Sequence, residues 1–171
     1  MACLEILEYP DKRLCVIAKP VENLNGRIQK LIVDMAETMY HAPGVGLAAT
    51  QVGENCRVLI YGAGPREKRG SYHVLINPLI VQQEREQVTE EGCLSVVDYR
   101  ANVRRAAHIC VSALDRHGKP VEREYEDLLA VVIQHEMDHL DGILFLDRIS
   151  KLKKSLYTKR LMKQLKKDPD E

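Results

Sequence analysis

The sequence predicts an α+β fold: a single domain in which antiparallel β-sheets pack around a central helix, with an N-terminal helix and a C-terminal helix beside them. Three observations carry that reading. An apolar repeat at helical spacing runs into His135-Glu136-Met137-Asp138-His139, and two histidines four residues apart share one face of a helix. Only short β-rich runs lie between an early helix and this one, without the intervening helices that a parallel sheet needs. The 171 residues are enough for one domain with a real core. That domain is expected to span residues 1–171, with 148–167 as a basic C-terminal helix.

Composition narrows the class. Hydrophobic residues make up 45% and charged residues 29%, the balance of a soluble globular chain. There is no Trp and one Phe, so the core must be aliphatic. Lys plus Arg equal Asp plus Glu at 25 each, which argues against a chain that is basic throughout. Five cysteines, odd in number and without a C-x-x-C pair, exclude a disulfide framework and point to a reducing compartment. Early acids and the lack of a long apolar run give no sign of a targeting peptide or a membrane span, so a cytoplasmic location is expected.

Pro10 to Pro20 is a Pro-bounded stretch expected to hold a turn and a brief helix. From Asn25 to Tyr40, Ile28, Leu31, Ile32, Met35 and Met39 recur at helical spacing, and both methionines are assigned to the core. His41-Ala42-Pro43-Gly44 ends this helix. Gly44-Val45-Gly46-Leu47-Ala48-Ala49 contains G-x-G-x-x-A, but a dinucleotide fingerprint follows a strand and opens a helix, whereas this run follows a helix. A tight loop of small residues that brings backbone close to a neighbour, ending in the hydrogen-bonding amide of Gln51, accounts for it better.

Arg57–Tyr61 and Tyr72–Ile76 read as strands separated by a polar, Gly-containing loop. Asn77-Pro78 should break the second, leaving Leu79–Val88 as an edge strand. His108–Leu114 and Val121–Tyr125 form a hairpin across Asp115-Arg116-His117-Gly118. Cys3, Cys15, Cys56 and Cys110 are read as small buried hydrophobes.

Leu128, Val131 and Val132 form a stripe that His135 and His139 continue, and this is read as the buried face of the helix. Glu124, Glu126 and Asp127 favour its start, and Gly142 stops it. Two imidazoles one turn apart can grip one metal ion, and Glu136 beside them is the general base that metal-assisted hydrolysis requires. A mononuclear catalytic site wants three protein ligands and one open position. After Gly142 there is no His, and no Glu until Glu171. The third ligand therefore comes from upstream. Cys93, within Glu90-Glu91-Gly92-Cys93-Leu94-Ser95, is the candidate: Gly92 gives the backbone freedom there, and a thiolate with two neutral imidazoles suits Fe(II) or Zn.

Three segments, Gly44-Val45-Gly46-Leu47-Ala48-Ala49-Thr50-Gln51, Glu91-Gly92-Cys93-Leu94-Ser95 and Gln134-His135-Glu136-Met137-Asp138-His139, resemble in this order the peptide deformylases. The likeness extends along nearly the whole chain and includes Leu75-Ile76-Asn77-Pro78. It implies a metal-dependent hydrolase that removes the formyl group from the N-terminal N-formylmethionine of newly synthesised bacterial proteins, releasing formate. It implies Cys93, His135 and His139 as ligands of one divalent ion, Fe2+ in the cell, with Zn2+, Ni2+ or Co2+ able to substitute. Glu136 becomes the general acid and base, and Gln51 with the Leu94 backbone N–H the oxyanion donors. Gly44, Val45, Gly46, Leu94, Leu128, Val131 and Val132 are the expected walls for a Met side chain, although core packing would equally explain the apolar ones. The chain departs from the family pattern after Ser95, where Val96-Val97-Asp98 stands in place of an apolar residue and Pro. The ligand set is untouched; the difference bears on the loop and on Arg100.

Ile149–Lys167 reads as a basic amphipathic helix with Leu152, Leu156, Leu161 and Leu165 as its apolar stripe. Eight Lys and Arg and no acid lie between Lys151 and Lys167, so the body is correspondingly acidic. A solvated face explains this; docking on the ribosome, beside nascent formyl-methionyl polypeptides as substrate, is what the resemblance favours. A monomer is expected. Two rivals fail on particular residues. A metallopeptidase of another architecture needs a downstream ligand that is missing, and a non-catalytic Cys-His-His module has no use for Glu136 or the Gln51 loop.

Overall fold

The computed structural model describes residues 2–62 and 70–167; most of the polar loop after the first long strand segment, 63–69, lies outside the described residues. Helix α1 spans Gly26–His41, capped by the Asn25 side chain, which accepts from Ile28 N. The strands follow as β1 Gly46–Ala48, β2 Val58–Gly62, β3 Tyr72–Cys93, β4 Val96–Leu114 and β5 Pro120–Glu126, then α2 Asp127–Leu140 and α3 Lys151–Lys167. The five strands form one antiparallel sheet in chain order.

Alternation along the strands divides the core in two. Val58, Ile60, Val74 and Ile76 face α1, where they meet Ile32, Met35 and Met39. Leu59, Tyr61, Leu75, Ile109 and Val111 face α2, against Ala130, Ile133, Met137 and Leu140. A third cluster joins Val96, Val103, Phe145, Leu146 and Tyr157, which docks the C-terminal segment on the start of β4. As expected, Met35 and Met39 are core residues.

Several expectations need correction. Asn77-Pro78 does not end a strand. The ladder slips between Ile76 and Leu79, Asn77 takes φ 51°, and its side chain bonds both backbone groups of Val21, so the Pro sits in a bulge where no donor is needed. Nor does β4 begin at His108. It starts at Val96 and pairs with β3 from Cys93 onward, so Leu79–Val88 is the middle of a long hairpin arm.

Glu124 and Glu126 belong to β5, and only Asp127 lies in the first turn of α2. The stripe of α2 that packs on the sheet is Ala130, Ile133, Met137 and Leu140; Leu128 is 67% exposed. On α3, Leu152, Leu156 and Leu165 are exposed, while Tyr157 and Leu161 make the contact with the body. Cys3 and Cys15 are exposed and Cys56 is half-buried; only Cys110 is fully buried as expected.

The segment before α1 acts as a strap. Leu7 N donates to Gln51 O, Tyr9 N to Ser95 O and Ala18 N to Leu140 O, at 2.7, 2.7 and 2.8 Å. Gly142, at φ +72°, lies so close to this strap that a Cβ there would sit 2.5 Å from Cys15 O. Residues 7–18 are thereby tied to all three segments that converge below.

Candidate metal centre

The tip of the β3–β4 hairpin is a two-residue turn, Leu94-Ser95, with Cys93 paired to Val96. This turn presents Cys93 to the face of α2 that carries His135 and His139. Cys93 Sγ is 3.3 Å from His139 Nε2, and the two Nε2 atoms are 3.2 Å apart. One donor atom from each of the three residues lies within 4.8 Å of the others. Ligands at the usual Zn–S and Zn–N lengths of about 2.3 and 2.1 Å stand about 3.3–3.7 Å apart around a tetrahedral ion. The donor set fits a single soft-to-borderline divalent cation.

Two donors are held from behind, whereas His139 is fixed through its backbone and its Nδ1 is buried with no hydrogen-bond partner among the described residues. His135 Nδ1 is 2.9 Å from Glu91 Oε1, the carboxylate–imidazole pairing that fixes a ligand ring. Thr50 Oγ donates to His139 O. Ser95 N and Gln51 Nε2 both point at Cys93 Sγ, at 3.4 and 3.7 Å. The amide of Gln51 is fixed: its Oε1 accepts from Ala48 N at 2.9 Å and its Nε2 donates to Ser95 Oγ at 3.1 Å, so the N–H side faces the thiol.

The small-residue loop also finds its partner. A Cβ on Gly46 would lie 2.7 Å from Glu136 Oε1, and one on Gly44 would lie 2.8 Å from Leu94 Cδ1. Backbone approaches the carboxylate there because no side chain intervenes. Gly46 opens β1, the sheet edge beside α2.

Electrostatics divide the acids. Burial would raise Glu91, but the Arg105 guanidinium and His135 hold it at about 2. Burial pushes Glu136 up to about 7 against the pull of His135, and its Oε2 is buried with no hydrogen-bond partner among the described residues. Burial drives His139 well below the ordinary imidazole range. His135 is raised despite its burial, because Cys93 and Glu91 both hydrogen-bond it. An incoming cation has to displace a proton from this cluster.

Gly44, Val45, Gly46, Gln51, Cys93, Leu94, Leu128, Val131, Val132, His135 and Glu136 all line one cleft of about 380 Å³. His139 lies behind it, 1% exposed. Arg100 also lines the cleft and pairs with Glu90 at 3.0 Å. Sequence reasoning missed Arg105, 2% exposed, which forks on Glu91 and reaches Asp138. Its signal was available: Ala101, Val103, Arg105 and Ala107 alternate inward along β4, and a guanidinium at an inward position must have buried acids opposite it.

A sheet meander clasping an H-E-x-x-H helix, with a hairpin thiol beside the two imidazoles and a buried carboxyl next to them, defines a metal-dependent hydrolase. A profile of the polypeptide deformylase family matches residues 3–155. A peptide deformylase of Thermodesulfovibrio yellowstonii is 49% identical over 160 residues, 94% of this chain and 97% of that protein. The crystal structure of a peptide deformylase from Legionella pneumophila superposes with a TM-score of 0.90 at 44% identity, covering 99% of both chains. That of the Ehrlichia chaffeensis enzyme in complex with actinonin gives 0.89 at 38% identity, over 96% of this chain and 98% of that one. The chain belongs to the polypeptide deformylase family: it is an enzyme that removes the formyl group from the N-terminal formylmethionine of newly synthesised proteins and releases formate.

Proposed function

We propose that residues 1–171 form one catalytic domain in which Cys93, His135 and His139 hold a single divalent ion, Fe2+ in the cell, while Glu136, Gln51 and Leu94 carry the chemistry. The observation that carries this reading is the convergence of three donor atoms within 4.8 Å beside a cleft lined by Glu136, whose Oε2 is buried with no hydrogen-bond partner among the described residues. When bound, the ion supplies Lewis acidity, acidifying a water molecule and polarising the formyl carbonyl.

Glu136 takes the proton of the attacking water and delivers it to the departing amine. Burial raises this carboxyl above the ordinary range, the direction that suits a group that must accept a proton and then donate it. The Gln51 amide, locked with its N–H toward the thiol, and the Leu94 backbone N–H stabilise the negative charge that collects on the formyl oxygen. One such donor contributes about 3 kcal/mol. Val45, Leu128, Val131 and Val132, with Gly44 and Gly46 leaving room, receive the Met side chain. The formyl carbon bears only hydrogen, so a narrow site excludes bulkier acyl groups.

The substrate class is nascent formyl-methionyl polypeptide in the cytoplasm, met by a monomer. Lys151 to Lys167, rich in Lys and Arg and solvated on the face away from Tyr157, suits docking on the ribosome. Among the described residues no helix is long and apolar enough to cross a membrane.

The test is Glu136→Gln. Expected is one metal per chain, as in the wild type, with formate release from formyl-Met peptides lowered by at least about a hundredfold; wild-type turnover in the metal-loaded variant sinks the assignment. The iron reading has its own measurement. Enzyme reconstituted with Fe2+ should lose activity in air while the Ni2+ form persists, because an oxidisable ion and thiolate share one open site. Equal decay of both forms would rule out iron oxidation as the cause.

A further inference from the structure

Behind α2, on the side away from the cleft, lies a larger hollow of about 520 Å³ walled in part by Arg105, Gln134, Asp138 and Arg148. Its charges are paired in a row. Arg105 donates through Nε and Nη2 to both oxygens of Glu91, each at 2.9 Å, and through Nη1 to Asp138 Oδ2 at 2.6 Å. Arg148 closes the row with Nε and Nη2 on Oδ2 and Oδ1 of Asp138, at 2.5 and 2.6 Å. The far end of the row is the Glu91–His135 contact already described. Arg148 comes from the short connector Phe145–Arg148, whose Phe145 ring lies 6.2 Å from the His135 ring at 28°.

The charges balance only if Arg148 is counted. Glu91 and Asp138 are buried, with 5% and 9% of their side chains exposed, and Arg105 is the one fully buried cation between them at 2%. Removing Arg148 leaves two buried carboxylates sharing one guanidinium. Asp138, having lost two of its three donors, then competes for Arg105, and the fork that holds Glu91 against His135 Nδ1 loosens. A ligand ring whose outer hydrogen bond is loosened holds its ion less well, by about 10- to 100-fold where the direct partner is removed.

We infer that Arg148 is a positioning residue for the metal cluster: by satisfying Asp138 it leaves Arg105 free to clamp Glu91, which orients His135 for the ion. This rests on the proposed reading of Cys93, His135 and His139 as ligands. Arg148 does not line the cleft; its side chain is 41% exposed at the outer end of the row. Its guanidinium is suited to this place because a planar fork can hold both carboxylate oxygens at once, which an ammonium cannot.

The experiment loads the full chain with Ni2+, adds an excess of chromogenic chelator, and follows metal release at neutral pH. Arg148→Ala should release its metal about tenfold faster than wild type, and Arg148→Lys should fall in between. Leu161→Ala, which loosens α3 through the third core cluster without touching the charged row, should lower the melting temperature and leave release at the wild-type rate. Wild-type release from Arg148→Ala overturns the inference, as does equal acceleration by Leu161→Ala, which would make the effect general destabilisation. Should Arg148→Ala fail to fold, wild-type release from Arg148→Lys overturns it alone. Cys93→Ala separates the two readings: metal retained there refutes the ligand assignment itself, whereas metal lost there with normal release from the Arg148 variants refutes only the role of Arg148.

Discussion

At the scale of single residues, the site depends as much on a missing atom as on any group present. Gly46 lets the β1 backbone approach Glu136 so closely that a methyl group would overlap its carboxylate at 2.7 Å. Gly46→Ala must therefore push Glu136 aside, since backbone on a sheet edge gives less easily than a side chain. A displacement of about 1 Å at a reacting group costs about a hundredfold in rate. The expected outcome is a kcat lower by that factor with metal content near one per chain; full activity would mean that Glu136 has room to relocate. The spacing His135-x-x-x-His139 and the lack of a downstream donor pointed in the sequence to two proposed ligands and an upstream third, and the fold brings those three residues together. The inward place of Arg105 could be read from the alternation of β4, but its partners could not, because Glu91 and Asp138 lie 14 and 33 residues away and only the fold brings them to it.

At the scale of elements, helices were easier to find than to orient. The leucine stripe read on helix α3 was right only in part: Leu161 packs on the body beside Tyr157, while Leu152, Leu156 and Leu165 are exposed and Tyr157 is 3% exposed. Periodicity shows that a stripe exists, but the position of the body decides which stripe is used. The same limit hid the first half of β4, where an inward Arg105 interrupts the apolar alternation.

Tyr157 makes a specific prediction for α3. Its hydroxyl donates to Val97 O at 2.9 Å, and its ring lies 4.6 Å from that of Tyr99. Tyr157→Phe keeps the ring and loses the donor, at a cost of about 1 kcal/mol, which is about 2–4 °C in melting temperature for a chain of this size. Tyr157→Ala also loses the packing and should cost about 3–5 kcal/mol. Calorimetry that finds the two variants equal would mean that the ring contributes nothing.

At the scale of the whole molecule, the proposed ligands come from a hairpin tip and a helix that meet only in the folded chain. An ion held there binds the native state and not the unfolded one, so it stabilises by mass action, by about 4 kcal/mol at a thousandfold excess over its dissociation constant. Chelation should lower the melting temperature of the entire chain in one cooperative step, read by far-ultraviolet circular dichroism. A transition confined to local signals, with the global melt unmoved, would place the ion outside the cooperative unit.

The strap of residues 7–18 has a consequence in time. Its hydrogen-bond partners include Gln51, Ser95 and Leu140, so the last of them is synthesised roughly 120 residues after the strap itself. At translation rates of about 5–20 residues per second, the Ala18 N–H waits on the order of ten seconds for its Leu140 partner, long after the strap's local turns and its bond to Gln51 can form. Helix α1 and the β1–β4 meander can assemble meanwhile from neighbours in sequence, but the cluster cannot close around an ion until α2 has emerged and the strap has tied it down. An enzyme whose substrates are other unfinished chains thus passes through a long interval in which it is itself one, and acquires its activity only once α2 has been made.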